Sequence, residues 1–221
     1  MNKNISETES IFNDLIDPSR KAVEFKKNDY VFKQGDPVKG IFWVKEGLIK
    51  ISQSGKEQKL VFSRLVFSGD TIGHRSLFIH QEYNGTAEVL SDKVVAYFFT
   101  LDEVTKLLSS NQHFARYLIS KIATELQRAE QDRSNAKEKT AFERLSELLY
   151  EISLNYSEKL MNGNLVFKSE ISKINLARIL LMANETVVRI MTEMSQEKII
   201  AYENRRIVIL DLPKLASLAR L

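Results

Sequence analysis

The stretch "ISKINLARILLMANETVVRIM", residues 171–191, decides how this chain is read. Ser172 stands where a helix N-cap belongs, with Asn175 in place of the usual Glu or Gln of a capping box. Ile174, Leu176 and Ile179 follow at a spacing that fits the buried face of a short helix. A turn over 181–183 leads to a second helix from Asn184, whose buried side is expected to be Val187, Ile190, Met191 and Met194. Just beyond, the apolar runs "IIAY" (199–202) and "IVIL" (207–210) flank "ENRR" (203–206), which predicts a β-hairpin with Arg205 and Arg206 near its tip. Two short helices, a tight turn and a basic hairpin describe a winged helix-turn-helix. On its second helix Glu185 and Arg189 are four residues apart and share a face. Taken alone, such a pair is an ordinary surface salt bridge worth a few tenths of a kcal/mol.

Upstream, "TAFERLSELLYEIS" (140–153) carries Phe142, Leu145, Leu148, Leu149 and Ile152 on one side of a helix and opens the same domain, followed by a short strand "LVF". Before it, the polar run "DRSNAKEK" predicts a hinge at 134–136. A long helix from about His113 precedes the hinge, with Ala115, Ile119, Ile122, Leu126 and Ala129 recurring in a heptad seam. Lys121, Glu125, Arg128 and Glu130 read as its charged flanks. So narrow a seam suits a second copy of the same helix better than packing along the chain's own body. Further upstream a brief helix is expected at "LDEVTKLLSS" (101–110).

The segment from about 22 to 100 differs in kind. Seven of the eight glycines lie between residues 35 and 85, separating short runs such as "YVF", "GIFWV", "LIKIS" and "KVVAYFF". Short β-branched and aromatic runs between turn signals predict an antiparallel roll, sandwich or barrel, with a short helix in the first twenty residues before it.

Composition removes several classes of function. The 221 residues contain no cysteine, which excludes disulfides, thiolate zinc sites, cysteine-held iron–sulfur clusters and cysteine nucleophiles. No apolar run approaches the roughly 18 to 20 residues of a membrane span. The first residues show no secretory pattern, so the expected location is the cytoplasm. A net charge of +3 permits a polyanionic partner without demanding one.

The helix pair, the hairpin, the heptad helix and the glycine-punctuated β region together resemble the Crp/Fnr transcription regulators. The resemblance covers nearly the whole chain from about residue 22 and is strongest in "ETVxR" (185–189) and "GDxIG" (69–73). It implies an α+β fold: an N-terminal cyclic-nucleotide-binding-type β-roll over 1–112, a long dimerisation helix over 113–135 and a C-terminal winged helix-turn-helix over 136–221. It implies a homodimeric, sequence-specific transcription regulator that binds palindromic double-stranded DNA, meets RNA polymerase if it activates, and is not an enzyme. By the resemblance, Glu185 and Arg189 point into the major groove, where Arg bonds guanine O6 and N7 and a carboxylate accepts from cytosine N4. Ser172, Asn184, Thr186, Val188, Arg205 and Arg206 complete the expected DNA contacts. Asn184 replaces an Arg frequent before the Glu, and Val188, placed to meet a thymine methyl, replaces a Gly or Ser. Leu181 stands where many members have the turn Gly.

The resemblance also implies an effector pocket in the roll, formed here by Gly73, His74, Arg75, Ser76, Asn84, Gly85 and Thr86, with Ala129 and Glu130 from the long helix. An acidic residue for the ribose and an Arg–Ser pair for the cyclic phosphate characterise the cyclic-AMP-binding members. His74, Asn84 and Gly85 stand in those places, so the expected effector is not cyclic AMP. An unknown small molecule, or none, remains, with Arg75 a candidate substitute phosphate ligand and His74, His80 or His113 the candidate axial ligands if haem is bound. No cofactor and no metal are predicted. Two rival readings are a regulatory module whose winged helix binds protein, and a cupin-like metalloenzyme, against which His74 and His80 lack close His-x-His pairing.

Overall fold

A computed structural model describes residues 10–17, 19–55, 60–79 and 81–220, leaving aside the side chains of 61–63 and 132–137. His80 lies outside the described residues. The first element among the described residues is a short helix, α1, at 10–15. The strands β1 (Val23–Lys26), β2 (Tyr30–Phe32), β3 (Gly40–Glu46), β4 (Ile49–Ser54), β5 (Leu60–Val66) and β6 (Thr71–Ile72) follow. After α2 (His74–Leu77) come β7 (Thr86–Val89) and β8 (Lys93–Thr100). They form two antiparallel four-stranded sheets, ordered β1-β8-β3-β6 and β2-β7-β4-β5. This is the expected roll.

Strand alternation distributes the apolar residues between two cores. Val44, Ile49, Val66, Val89, Val94 and Ala96 pack inside the roll. Ile41, Trp43 and Phe99 face the other way, onto Phe12 of α1, Val104 of α3 (Leu101–Ser110), and Phe114 and Leu118 of α4 (Gln112–Glu138). Phe12 stacks on Trp43 with ring centroids 5.0 Å apart. Thr100 and Glu103 form a reciprocal capping box that starts α3 where β8 ends.

The hinge expected at 134–136 is not there. Helix α4 runs on to Glu138, because 112–138 contains neither Gly nor Pro to break it. The chain turns at Lys139, and Thr140 with Glu143 makes a second capping box for α5 (Ala141–Asn155). Lys139 Nζ reaches Glu147 at 3.0 Å and the Ala219 carbonyl at 3.2 Å, fastening the turn.

The C-terminal unit adds β9 (Ser157–Lys159), β10 (Leu165–Phe167), α6 (Lys173–Leu180), α7 (Asn184–Gln196), β11 (Ile200–Glu203), β12 (Arg206–Ile209) and α8 (Leu212–Leu218). Its sheet runs β11-β12-β10-β9. Leu145, Leu149, Phe167, Leu176, Ile190 and Met191 belong to one core, and that core continues into Leu48, Leu65, Phe67 and Leu90 of the roll. Lys27 Nζ also donates to the Glu170 carbonyl at 3.1 Å. The winged unit is therefore seated on the roll through an apolar contact.

Candidate DNA interface and sensor pocket

Helix α7 is placed by its apolar side: Val187, Ile190, Met191 and Met194 are buried, as the spacing predicts. Its opposite side presents Glu185 and Arg189 to solvent, with Thr186 and Val188 half-buried beside them. Arg189 leans toward Glu193 at 4.0 Å, with side chains 72% and 47% exposed, instead of pairing with Glu185. An ion pair so exposed holds the guanidinium weakly, leaving it available to a stronger partner. Asn184 sits half-buried in the first turn, with Oδ1 shielded from solvent.

The finer expectations gain detail, and the buried place expected for Ile174 is overturned. Ser172 Oγ accepts from the Asn175 amide at 3.2 Å, so its hydroxyl is engaged as the N-cap of α6. Ile174 is 53% exposed, not buried, because Leu176, Ala177, Ile179 and Leu180 already fill the inner face. Leu181 adopts the left-handed conformation at φ 53°, and its amide donates into the end of α6. At the hairpin, Asn204 and Arg205 both have positive φ, 49° and 64°, as a tight two-residue turn requires. Arg206 is drawn back onto β9, donating to Glu158 at 2.7 Å. Lys173, which periodicity does not single out, lies over the Tyr202 ring at 5.5 Å and ties α6 to the hairpin.

In the roll, Gly73, His74, Arg75, Ser76, Asn84 and Gly85 line one cavity together with Arg64 and Tyr83. Gly73 makes the turn into α2 at φ 89°, and a Cβ there would lie 2.9 Å from the Gly40 carbonyl oxygen. Thr86, Ala129 and Glu130 are not among its walls. Thr86 Oγ1 accepts from the Gln34 amide at 3.0 Å, and Glu130 is exposed. The residue of α4 that turns to this part of the roll is Glu125, one turn earlier and almost fully buried. Glu125 Oε2 accepts from Arg75 Nε at 2.6 Å and lies 3.1 Å from His74 Nε2. Arg64 Nη2 is 3.2 Å from Oε1. Lys121, also on α4, pairs with Asp70 and lies 3.8 Å from Glu125.

Burial works against the Glu125 carboxylate. The His74 hydrogen bond and the charges of Arg64, His74 and Arg75 outweigh it and hold the group well below the usual carboxylate range. Burial also pushes the Tyr117 phenol up, so it stays a donor. Tyr117 Oη is 3.1 Å from Thr71 Oγ1, which is 3.4 Å from His74 Nδ1. Thr71 Oγ1 bridges Tyr117 and His74 Nδ1, while Nε2 of the same ring meets Glu125. Both ring nitrogens of His74 are thus occupied within the protein. Arg75, the candidate phosphate ligand, is committed to Glu125. The cavity left is about 30 Å³, room for a water or two and not for a nucleotide.

Sequence reading placed Glu125 and Lys121 among the seam's flanks. The signal that distinguishes them is a second stripe, Phe114, Leu118, Lys121 and Glu125, spaced 4, 3 and 4 on the same helix. Phe114 and Leu118 are buried on the roll, and the two charged residues continue that face. The other stripe stays open: Ile119 is 68%, Ile122 39% and Leu126 61% exposed.

Comparison with known proteins agrees with this architecture. Residues 22–111 match the cyclic nucleotide-binding domain family and residues 143–218 the Crp-like helix-turn-helix domain family. The chain is 30% identical to the transcriptional activator protein Anr of Pseudomonas protegens, over 90% of this chain and 81% of that one. It is 27% identical to the transcriptional activator protein FnrA of Stutzerimonas stutzeri, over 93% and 83%. Among solved structures, a CRP/FNR family transcriptional regulator of Thermus thermophilus superposes with a TM-score of 0.73 at 23% identity, covering 91% of this chain and 99% of that one. FixK2 from Bradyrhizobium japonicum does so with 0.74 at 19% identity, covering 90% and 96%. A roll carrying a cyclic-nucleotide-binding architecture, joined by a long helix to a Crp-like reading head, makes this chain a member of the Crp/Fnr family of DNA-binding transcription regulators.

Proposed function

We propose that the chain works as a homodimer that reads a palindromic DNA site with α7, and that cyclic AMP is not its effector. The observation that carries the reading is the two-sided character of α7: one side locked into the core by Val187, Ile190, Met191 and Met194, the other presenting Glu185 and Arg189. Arg189 bonds a guanine edge and Glu185 a cytosine amine or its neighbour. Thr186, Val188 and Asn184 flank them, while Arg205 at the hairpin turn and Ser172 at the start of α6 sit toward the backbone. The open stripe Ala115, Ile119, Ile122, Leu126 and Ala129 supports the dimer. The small cavity and the substitutions His74, Asn84 and Gly85 weigh against a cyclic nucleotide. Among the described residues no helix is long and apolar enough to cross a membrane. A DNA target makes the cytoplasm the place of action, and contact with RNA polymerase belongs to the activator role named for Anr and FnrA. No enzymatic activity forms part of this reading.

The test is Arg189→Ala, measured on a specific and a scrambled duplex at several salt concentrations. Base readout predicts a loss of about 1 to 3 kcal/mol on the specific duplex alone, with relaxed preference at one symmetric pair of positions. Equal losses on both duplexes would reduce Arg189 to a phosphate contact. A wild type that binds neither duplex, yet captures a protein partner, would favour the protein-binding alternative.

A further inference from the structure

The cavity in the roll is lined by nitrogen donors from two separate segments, Arg64 on β5 and His74 with Arg75 at α2, and all of them turn to one carboxylate. That carboxylate, Glu125, comes from α4, the helix that carries the open apolar stripe. Asp70 answers Lys121, so the single charge of Glu125 stands against two guanidiniums and an imidazole. A buried pair kept only to hold two elements together needs one cation, and an apolar contact of the same size commonly does as well. His74 and Arg75 converging on Oε2, with the Arg64 guanidinium at ion-pair distance from Oε1, is instead an arrangement with which a protein binds an anion. Here the anion is covalently part of the chain.

We propose that Glu125 is a tethered ligand: the roll has a site for a small carboxylate-type anion, and the chain fills it with its own side chain, fixing α4 without a diffusible effector. The consequence follows from helix geometry. Glu125 and Leu126 are adjacent, one facing the site and the other the open stripe, so holding the carboxylate sets the rotation and height at which the stripe is offered to a partner. The inference rests on the reading of α4 as the dimer helix for its regulatory meaning, though not for the anion site itself.

The experiment replaces the tethered anion with a free one. Glu125→Ala leaves Arg64, His74 and Arg75 around a hole, and the unfolding midpoint of the full-length protein should fall by roughly 6 to 20 °C. Millimolar formate or acetate should restore much of that loss saturably, whereas chloride at equal ionic strength should not, and the wild type should respond to neither. Glu125→Gln, which keeps the shape and loses the charge, should be destabilised without rescue because its amide still occupies the site. Cyclic AMP should leave the wild-type midpoint unmoved. If Glu125→Ala folds only partly, recovery of its circular dichroism in formate against chloride gives the same readout. No rescue by formate or acetate, an equal gain in the wild type, or a saturable wild-type shift with cyclic AMP would each overturn the proposal. Sedimentation and DNA binding of the wild type are measured separately: a monomer that ignores DNA would overturn the dimeric reading, while anion rescue of stability would still stand.

Discussion

Leu181 shows how much one residue type can foretell. Its place in the turn between α6 and α7, where a Gly is usual in the family, implied a left-handed backbone, and the conformation is φ 53°, ψ 43°. What the sequence did not carry is the environment: the side chain is 48% exposed, so deep burial does not offset a strain of about 1 to 2 kcal/mol. Leu181→Gly should therefore stabilise the protein by up to about 1 kcal/mol after the added flexibility of the unfolded chain is subtracted, seen as a rise of about 2 to 4 °C in Tm. A lower Tm would mean that the remaining contacts of the leucine outweigh the strain. The two hairpin arginines look alike as sequence and differ as structure. Arg206 is engaged with Glu158, and its side chain is 27% exposed. Arg205 lies in the turn with positive φ. Arg205→Gly, which removes the charge and suits that backbone, should flatten the salt dependence of DNA binding by about one phosphate contact on all sequences. Arg206→Ala should change the slope less and lower Tm instead. Equal slopes for both variants would place both on phosphate.

Helix α4 carries two stripes on one element, and only one was legible. The heptad Ala115, Ile119, Ile122, Leu126 and Ala129 is apolar and stands out at once. The second stripe changes from Phe114 and Leu118 to Lys121 and Glu125, so a hydrophobicity pattern loses it halfway along. Its meaning lies in Arg64, Asp70, His74 and Arg75, some fifty residues earlier in the chain and brought near only by the roll. Likewise the polar run at 132–139 suggests a hinge at 134–136 only if polarity implies flexibility, whereas no Gly or Pro in it breaks a helix. Ile122→Glu with Leu126→Glu should yield monomers in sedimentation, since each protomer would bring two carboxylates to a self-facing seam. The β content should survive, because neither residue belongs to the cores of the roll. A wild type that is monomeric at micromolar concentration would remove the seam from the interface.

For the whole molecule, the order of parts was legible from where glycines cluster and where the period changes from two to heptad, but the seating of the winged unit on the roll was not. Leu48, Leu65, Phe67 and Leu90 belong to the roll, yet they complete the core of the C-terminal unit, with Tyr156 and Phe167. This shared core restrains the reading head relative to α4 through apolar contact, in addition to the turn at Lys139. If the seam pairs two copies and each copy holds its head in this way, the separation of the two α7 helices is set by protein geometry, not found on the DNA. The preferred site should then be a palindrome with half-site centres about 34 to 36 Å apart, one helical turn. Selection from a random duplex pool reads this directly. Lengthening the spacer by about half a turn, roughly 5 base pairs, should bring the second half-site to the opposite face and reduce affinity to that of a single half-site. Equal binding to the lengthened duplex would mean that the heads move independently and that the apolar seat on the roll does not restrain them.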